Sequence, residues 1–204
     1  MRRVGVGRRL LHVGAFLIRI GSDRLAGLQL AGSVSEFGET LYQTVDRGLV
    51  GVVGDGDGLA IGGNHFIHAI RRNIDINILL LNNRIYGLTK GQYSPTSPRG
   101  FVSKSSPYGT VEDPFHPAEL CFGARGRFFA RCVATDGPGT GEVLKAAANH
   151  KGAAVCEILQ HCVIFNDGTY DPVYNKDGRA KNAIYLEHGK PMLFGENKEF
   201  GLMQ

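Results

Sequence analysis

The sequence predicts an α/β domain in which helices flank a parallel sheet. A buried strand, a glycine-rich loop, a helix and a second buried strand follow one another over residues 49–81. This order is a βαβ unit, whose two strands are parallel and neighbouring. A third apolar run at 153–159 follows a surface helix and repeats the alternation of helix and strand.

The first βαβ unit can be justified element by element. Leu49–Val53 is a short β-branched run that enters the loop Gly-Asp-Gly-Asp-Gly at 54–58. Residues 59–73 carry apolar side chains at helical spacing, and they end near Arg71 and Arg72, where cations suit the helix dipole. The apolar run 76–81 then predicts the second buried strand.

The elements that follow are separated by a long loop. Residues 87–117 are rich in Gly, Ser, Thr and Pro, and long structured loops of this kind are often functional. A helix is predicted over 117–131, a strand over 131–134, and a surface helix over 140–150 that Thr140 caps. After the strand at 153–159 and Cys162, the sequence becomes polar and rich in turn signals.

Composition excludes several function classes. With 204 residues, 43% of them hydrophobic and 21% charged, the chain can form one globular domain. The net charge of +4 comes without a long Lys/Arg block, which argues against nucleic-acid binding, and no apolar run is long enough for a membrane span. The four cysteines include no Cys-x-x-Cys pair, which favours a reducing, cytoplasmic compartment over a disulfide framework.

The N-terminal segment differs from the rest of the chain. Residues 1–50 hold seven arginines and no lysine, and no acidic residue precedes Asp23. A transit peptide, a weak signal segment interrupted by His12 and Arg19, and a start that is not the natural one each fit this composition, and we favour the third. The expected division is therefore an atypical segment at 1–48, truncated or misread, and a domain with a C-terminal extension at 49–204.

The Gly-Asp-Gly-Asp-Gly loop is the strongest candidate for a binding site. It stands at the carboxyl end of a strand and before a helix, where open α/β sheets bind ligands. Its three glycines allow the backbone to approach phosphate oxygens, but Asp55 and Asp57 would repel a bare phosphate. A divalent cation between carboxylate and phosphate removes the conflict, and Mg²⁺ is commonly held in this way.

A second hard ligand is expected from the next strand. That strand ends in Asn82 and Asn83, and Asn83 follows Asp55 by 28 residues, enough for one helix and one strand. Because parallel neighbouring strands end at the same edge of a sheet, an asparagine amide oxygen should lie close to the Asp55 carboxylate.

These motifs resemble a known family. The strings GDGDGLAIGGNHFIHAIRRN, NNRIYGLTKGQYSPTSP, LCFGARGRFFAR, LQHCVIFN and KNAIYLEHGKP look like those of the β subunits of 2-oxoacid:ferredoxin oxidoreductases, and the last favours the 2-oxoglutarate type. The resemblance runs from about Leu49 to the C-terminus. It implies the thiamine-diphosphate-binding fold, with Mg²⁺ held by Asp55, Asn83 and the carbonyl of Ile85. It also implies cofactor-binding positions at Gly54, Asp55, Gly56, Asp57, Gly58, Asn82, Asn83, Tyr86 and Gly87.

The resemblance also implies an activity and its partners. Members of the family decarboxylate a 2-oxoacid oxidatively, pass electrons to ferredoxin and leave the acyl group on coenzyme A. The α subunit supplies the other half of the cofactor site, so this chain should be active only together with it. Lys90, in the Gly-Leu-Thr-Lys-Gly-Gln loop, is the candidate catalytic residue, facing the substrate carboxylate or the cofactor's reactive end; the alternative is a solvated loop charge.

The family's iron–sulfur cluster is only partly matched. A [4Fe–4S] cluster needs four thiolates, and the resemblance gives a counterpart for Cys162 alone. Cys121, Cys132 and Cys156 are predicted as small core residues. The cluster is therefore expected in an intact family member and not in this chain as written. Two other interpretations stay open: another class of thiamine-diphosphate enzyme, such as a non-oxidative decarboxylase, and a non-catalytic truncated remnant.

Overall fold

A four-stranded, fully parallel sheet lies at the centre of the molecule. The computed structural model describes residues 49–202 and the strand β1 (Ala15–Ile18); the rest of segment 1–48 lies outside the described residues, so the division at residue 48 stays a prediction. The sheet contains β2 (Leu49–Gly54), β3 (Ile76–Asn82), β4 (Phe128–Val133) and β5 (Ala154–Leu159) in the order β2-β3-β5-β4. The predicted pairing of the first two strands is confirmed, with Gly54 beside Leu81.

Helices cover both faces of this sheet. A π-helical turn at Asp57–Ile61 leads into α1 (Gly63–Arg71), which packs with α2 (Pro117–Gly123) over one face, and α3 (Gly137–Asn149) covers the other. β5 is buried along its whole length, as expected for an inner parallel strand with helices on both sides. The predicted α/β class is therefore confirmed.

The C-terminal extension is built from short elements. After the turns at 160–170 come α4 (Asp171–Tyr174), α5 (Lys176–Asn182) and β6 (Ala183–Leu186), which pairs in parallel with β1. β7 (Met192–Phe194) and β8 (Phe200–Leu202) form an antiparallel pair. The buried Arg179 ties the extension to the domain, because its guanidinium donates to the Thr135 hydroxyl at 2.9 Å and to the Tyr174 carbonyl at 2.6 Å.

Three local predictions are wrong. The strand predicted as buried at the start of the βαβ unit is the edge strand β2, whose residues are half-buried or exposed. The helix predicted over 117–131 ends at Gly123, because Arg125 takes a left-handed conformation (φ +63°) and β4 begins at Phe128. The cap of α3 is Asp136 and not Thr140, since the Asp136 carboxylate accepts from the Gly139 amide at 3.3 Å. Thr140 lies one turn inside the helix and donates to the Val133 carbonyl at 3.2 Å.

No helix within the described part of the chain is long and apolar enough to cross a membrane.

Candidate functional site

Asp55 lies at the carboxyl edge of the sheet, directly after β2, with only 1% of its surface exposed. Its Oδ1 accepts from the Asn83 backbone amide at 3.3 Å, and its Oδ2 accepts from the Thr96 hydroxyl at 2.6 Å. The first contact joins residues 28 apart in sequence, because β2 and β3 run parallel and end together. Asp55 and Asn83, the two side chains predicted to share this edge, are therefore neighbours.

The electrostatic environment of Asp55 is unusual for a buried acid. Burial raises the pKa of the Asp55 carboxyl above its usual value, and hydrogen bonds from Ser94, Thr96 and the Asn83 amide oppose that rise. Among the residues that the structure describes, no Lys, Arg or His forms an ion pair with it. A carboxylate in this position lacks a positive partner, which a bound cation would supply.

The turn after β3 presents a second group of oxygen atoms. The Asn83 side-chain oxygen accepts from the Ile85 amide at 3.2 Å, which closes a turn around Arg84, a residue with a left-handed backbone (φ +57°). The carbonyl oxygens of Asn83, Arg84 and Tyr86 each accept hydrogen bonds, whereas no donor within the described residues reaches that of Ile85. The buried Ile85 therefore offers, beside Asn83, a carbonyl oxygen that accepts from none of the described residues.

Asn82, the first of the two asparagines, points into the protein. Its amide nitrogen donates to Glu157 at 2.7 Å, and its oxygen accepts from the Arg84 amide at 3.1 Å. Arg131 completes the arrangement through a 2.6 Å ion pair with the other oxygen of Glu157. These contacts give Asn82 a supporting role, and its predicted contact with the cofactor stays a prediction.

Two of the three loop glycines, Gly56 and Gly58, are required by side-chain packing. A Cβ on Gly56 would lie 2.3 Å from the Tyr86 ring, and one on Gly58 would lie 2.9 Å from Val53. The Tyr86 hydroxyl also donates to the Gly56 carbonyl at 2.9 Å, and burial, followed by the charges of Asp57 and Asp55, raises the pKa of this phenol. Tyr86 therefore stabilises the loop through its ring contact and its hydrogen bond to Gly56. The Asp57 side chain, in the same loop, is exposed.

Lys90 is exposed on a tight loop beside the site. Lys90 (φ +64°) and Gly91 (φ +99°) are both left-handed, and the loop closes where the Tyr86 amide donates to the Gln92 carbonyl at 2.8 Å. Cys162 lies at the same end of the molecule, because a Cβ on Gly87 would be 3.8 Å from its sulfur. The structure places both predicted residues around the Asn83 turn, with no contact to Asp55 among the hydrogen bonds of the described residues.

Several residues that contribute to the site were not singled out from the sequence. Ser97 donates to the Arg84 carbonyl at 2.7 Å, and Asn166 donates to the carbonyls of Asn83 and Arg84 at 3.0 and 3.3 Å. Thr96 contacts Asp55 itself. The only sequence signal for them was the loop rich in Ser, Thr and Pro, together with the Gln-His-Cys-Val-Ile-Phe-Asn string.

Metal-binding clusters of the usual side chains do not occur in the part of the chain that the structure describes, where no three His, Cys, Asp or Glu residues come together. A cation at this edge would therefore use one carboxylate, amide and backbone oxygens, and oxygens of its ligand.

Comparisons with known proteins agree with this geometry. The family model described as thiamine pyrophosphate enzyme, C-terminal TPP binding domain, matches residues 27–158, which include the four-stranded sheet except Leu159 and part of the N-terminal segment. The chain is 56% identical over 149 residues to the 2-oxoglutarate oxidoreductase subunit KorB of Mycobacterium tuberculosis, covering 73% of this chain and 40% of that protein. It is 46% identical over 124 residues to the 2-oxoacid:ferredoxin oxidoreductase 1, subunit beta, of Aeropyrum pernix, covering 61% and 39%.

A solved structure supports the same relationship. The 2-oxoglutarate:ferredoxin oxidoreductase from Magnetococcus marinus, determined with 2-oxoglutarate, coenzyme A and succinyl-CoA bound, superposes with a TM-score of 0.56 at 38% identity, covering 63% of this chain and 45% of that chain. The chain thus spans about two fifths of the length of the Mycobacterium and Aeropyrum proteins. The chain belongs to the thiamine pyrophosphate enzyme family through its C-terminal TPP binding domain, and the predicted resemblance to 2-oxoacid:ferredoxin oxidoreductase β subunits is confirmed.

Proposed function

We propose that the chain is the β subunit of a 2-oxoglutarate-type 2-oxoacid:ferredoxin oxidoreductase and that it binds Mg²⁺–thiamine diphosphate. The observation that carries this proposal is the fully buried Asp55 carboxylate, which has no ion-pair partner among the described residues and lies beside Asn83. The family match and the names of the relatives supply the class of cofactor and substrate.

The proposed cation would bind Asp55, the Asn83 side-chain oxygen and the Ile85 carbonyl. Asp55 is the anionic ligand, and Mg²⁺ would relieve both the burial of that charge and its repulsion from the cofactor's diphosphate. Asn83 and Ile85 are suited to the role because they lie in the same turn and both oxygens are hard, neutral ligands. The glycines of the loop allow the diphosphate to approach the backbone at the start of the π-helical turn.

The chain's own residues would bind and orient the cofactor rather than break bonds. When bound, thiamine diphosphate supplies the carbon nucleophile that attacks the 2-oxo group and allows CO₂ to leave. Lys90 offers a positive charge near the Asn83 turn, suited to a substrate carboxylate or to the cofactor's reactive end. The remaining parts of the proposal are an α subunit that completes the active site, coenzyme A as acyl acceptor, ferredoxin as electron acceptor, and a cytoplasmic location.

The residues present do not fit an iron–sulfur cluster. Cys162 is half-buried near Gly87, whereas Cys121, Cys132 and Cys156 are fully buried in the core and cannot join it. A cubane needs four thiolate ligands. We therefore propose that this chain alone does not hold the cluster.

The metal site is tested by substitution of its ligands. Asp55→Ala removes the anionic ligand and should abolish Mg²⁺-dependent binding of thiamine diphosphate. Asn83→Ala removes a neutral ligand and should weaken it. Asp57→Ala is the matched control, because its carboxylate is exposed in the same loop. The measurement is calorimetric titration of thiamine diphosphate into the complex with the α subunit, with and without Mg²⁺.

Each outcome separates the proposal from its rivals. If Asp55→Ala binds the cofactor as well as the parent does, this assignment of the loop is wrong. If the parent binds Mg²⁺–thiamine diphosphate but releases CO₂ from a 2-oxoacid without reducing ferredoxin, the chain belongs to another class of thiamine enzyme. Absence of cofactor binding by the parent would identify a non-catalytic remnant.

Lys90→Ala tests the assignment of the substrate side. In the complete enzyme we expect a larger loss in the use of 2-oxoacid than in the affinity for thiamine diphosphate, because Lys90 lies outside the metal site. Steady-state kinetics at varied 2-oxoacid, together with cofactor titration, measure the two effects. Lys104→Ala, in an exposed part of the same long loop, is the control. Equal losses in both measurements, or no loss, would show that Lys90 is only a solvated charge.

A further inference from the structure

A turn with three buried hydroxyl groups packs against the proposed metal ligands. Ser94, Thr96 and Ser97 are only 2%, 3% and 4% exposed, although they belong to a loop rich in Ser and Pro. The turn is closed on itself, because the Ser97 amide donates to the Ser94 carbonyl at 3.0 Å and the Ser94 amide donates to the Ser97 hydroxyl at 2.8 Å. A segment of such polarity is buried only where its hydroxyl groups are hydrogen-bonded.

Thr96 makes the short hydrogen bond from this turn to Asp55, and Ser94 adds a further hydrogen bond to the same carboxyl. The Thr96 hydroxyl lies 2.6 Å from Asp55 Oδ2 and 3.0 Å from the side-chain oxygen of Asn82. Both neighbours are acceptors, and a threonine hydroxyl has one proton to donate. The shorter contact, to the charged oxygen, receives it, because charge-assisted hydrogen bonds are the stronger kind.

The orientation of Asn82 is fixed from the opposite side. Its amide nitrogen donates to Glu157, and Glu157 is held by Arg131, so that the Asn82 oxygen must face Thr96. Arg131 and Asn82 both donate to Glu157, Thr96 donates to Asp55, and the Asn82 oxygen accepts its hydrogen bond from the Arg84 amide at 3.1 Å. The remaining carboxylate oxygen, Asp55 Oδ1, accepts from the Asn83 amide at 3.3 Å.

We propose that Thr96 is a positioning residue for the metal site: its hydroxyl holds Asp55 Oδ2 and thereby presents Oδ1 toward the Asn83 turn. This inference rests on the proposed Mg²⁺–thiamine diphosphate site and deepens it. Partners that orient a metal ligand contribute strongly to metal affinity even though they do not touch the metal. Thr96 would act in this way through a single hydrogen bond.

The test compares two substitutions of Thr96 with a matched control. Thr96→Val keeps the shape but removes the hydroxyl, and it should weaken Mg²⁺-dependent binding of thiamine diphosphate by about tenfold or more. Thr96→Ser retains the hydroxyl and should restore most of the affinity. Thr110→Val makes the same chemical change at another buried threonine, whose hydroxyl donates to the Pro98 carbonyl at 2.8 Å, and it should bind the cofactor as the parent does.

A second measurement separates positioning from folding. Thermal unfolding without Mg²⁺ or cofactor should show that Thr96→Val and Thr110→Val both still unfold cooperatively, each at a lower Tm than the parent, since each loses the hydrogen bonds of one buried hydroxyl group. If Thr96→Val and Thr110→Val bind the cofactor equally well, or Thr96→Ser does not restore affinity, Thr96 has no positioning role. If Asp55→Ala also binds as the parent does, the metal site itself is wrong, and the two failures are thus distinguished.

Discussion

At the scale of single residues, Gly56 shows that packing can require a glycine independently of any ligand. The sequence suggested that glycine lets the backbone approach a phosphate. In the structure Gly56 has an ordinary helical backbone (φ −62°, ψ −51°), and what excludes a side chain is the Tyr86 ring 2.3 Å from its Cβ position. The requirement for glycine at 56 therefore depends on Tyr86 as well as on any ligand.

Gly56→Ala should accordingly destabilise the protein even without cofactor. The new methyl group must displace Tyr86 and strain its hydrogen bond to the Gly56 carbonyl, and overpacking of this kind lowers the free energy of unfolding by about 1–3 kcal/mol. Urea unfolding of the apo protein measures it. Gly63→Ala is the control, because a Cβ there meets nothing within 4 Å and alanine favours the helix. Equal stability of the two variants would contradict this explanation.

At the scale of secondary structure elements, the charged pair between β4 and β5 carries a clear energetic prediction. Arg131 and Glu157 are directly opposite each other on neighbouring strands and form a 2.6 Å ion pair, with side-chain exposures of 12% and 2%. Arg131→Met would leave the Glu157 carboxylate buried without its cation. We expect the free energy of unfolding to fall by about 3–5 kcal/mol, measured by chemical denaturation.

An exposed ion pair provides the comparison. Arg99 and Asp113 are 3.1 Å apart, but their side chains are 65% and 78% exposed. Arg99→Met should change the free energy of unfolding by about 1 kcal/mol at most, because water screens such pairs. A loss for Arg131→Met no larger than that for Arg99→Met would mean that the buried pair contributes no more than a surface pair.

The positions of three of the sheet strands could be predicted from the sequence. β2, β3 and β5 are mostly apolar runs bounded by turn residues, and local pattern was enough to place them and to bring Asp55 beside Asn83. The prediction of a helix over 117–131 was wrong because the stop signal, a left-handed Arg125 followed by Gly126, is only two residues long. The spacing of apolar residues continues to indicate a helix past this point, and it carries no information about a left-handed backbone at Arg125.

The supporting residues of the site were beyond local pattern altogether. Thr96 meets Asp55 across 41 residues, and Asn82 meets Glu157 across 75. Nothing in the neighbourhood of Glu157, inside an otherwise apolar strand, indicates which amide it will bind. Pairings of this length depend on the order of strands in the sheet, which places β5 next to β3.

At the scale of the whole molecule, the buried thiols report on the integrity of both cores. Cys121, on α2, belongs to the core between the sheet and the helices α1 and α2. Cys132 and Cys156 belong to the core between the sheet and α3. Burial raises the pKa of the Cys121 thiol to about 11 and that of Cys132 to about 12, and it also raises the pKa of Cys156. At neutral pH these three thiols are therefore protonated and inaccessible, and both conditions disfavour their reaction with an alkylating reagent.

Alkylation should consequently distinguish one cysteine from the other three. Iodoacetamide at neutral pH is expected to modify Cys162 alone in the folded protein, and all four cysteines after denaturation, as measured by mass spectrometry of peptides. In increasing urea the three buried thiols should become reactive together, because both cores share the same sheet. Modification of Cys121 before Cys132 and Cys156 would show that the two faces of the sheet open separately.

The strand order also determines when the site can be completed during synthesis. Asp55, Asn83 and Thr96 leave the ribosome before Arg131 and Glu157, the charges that fix Asn82 from the other side. A nascent chain that ends after α2 would contain Asp55 and Asn83, the two proposed side-chain ligands of the cation. It would lack β5, the strand that carries Glu157 and thereby orients Asn82. The cation-binding edge is thus a late product of folding, and it cannot mature before β5 has entered the sheet between β3 and β4.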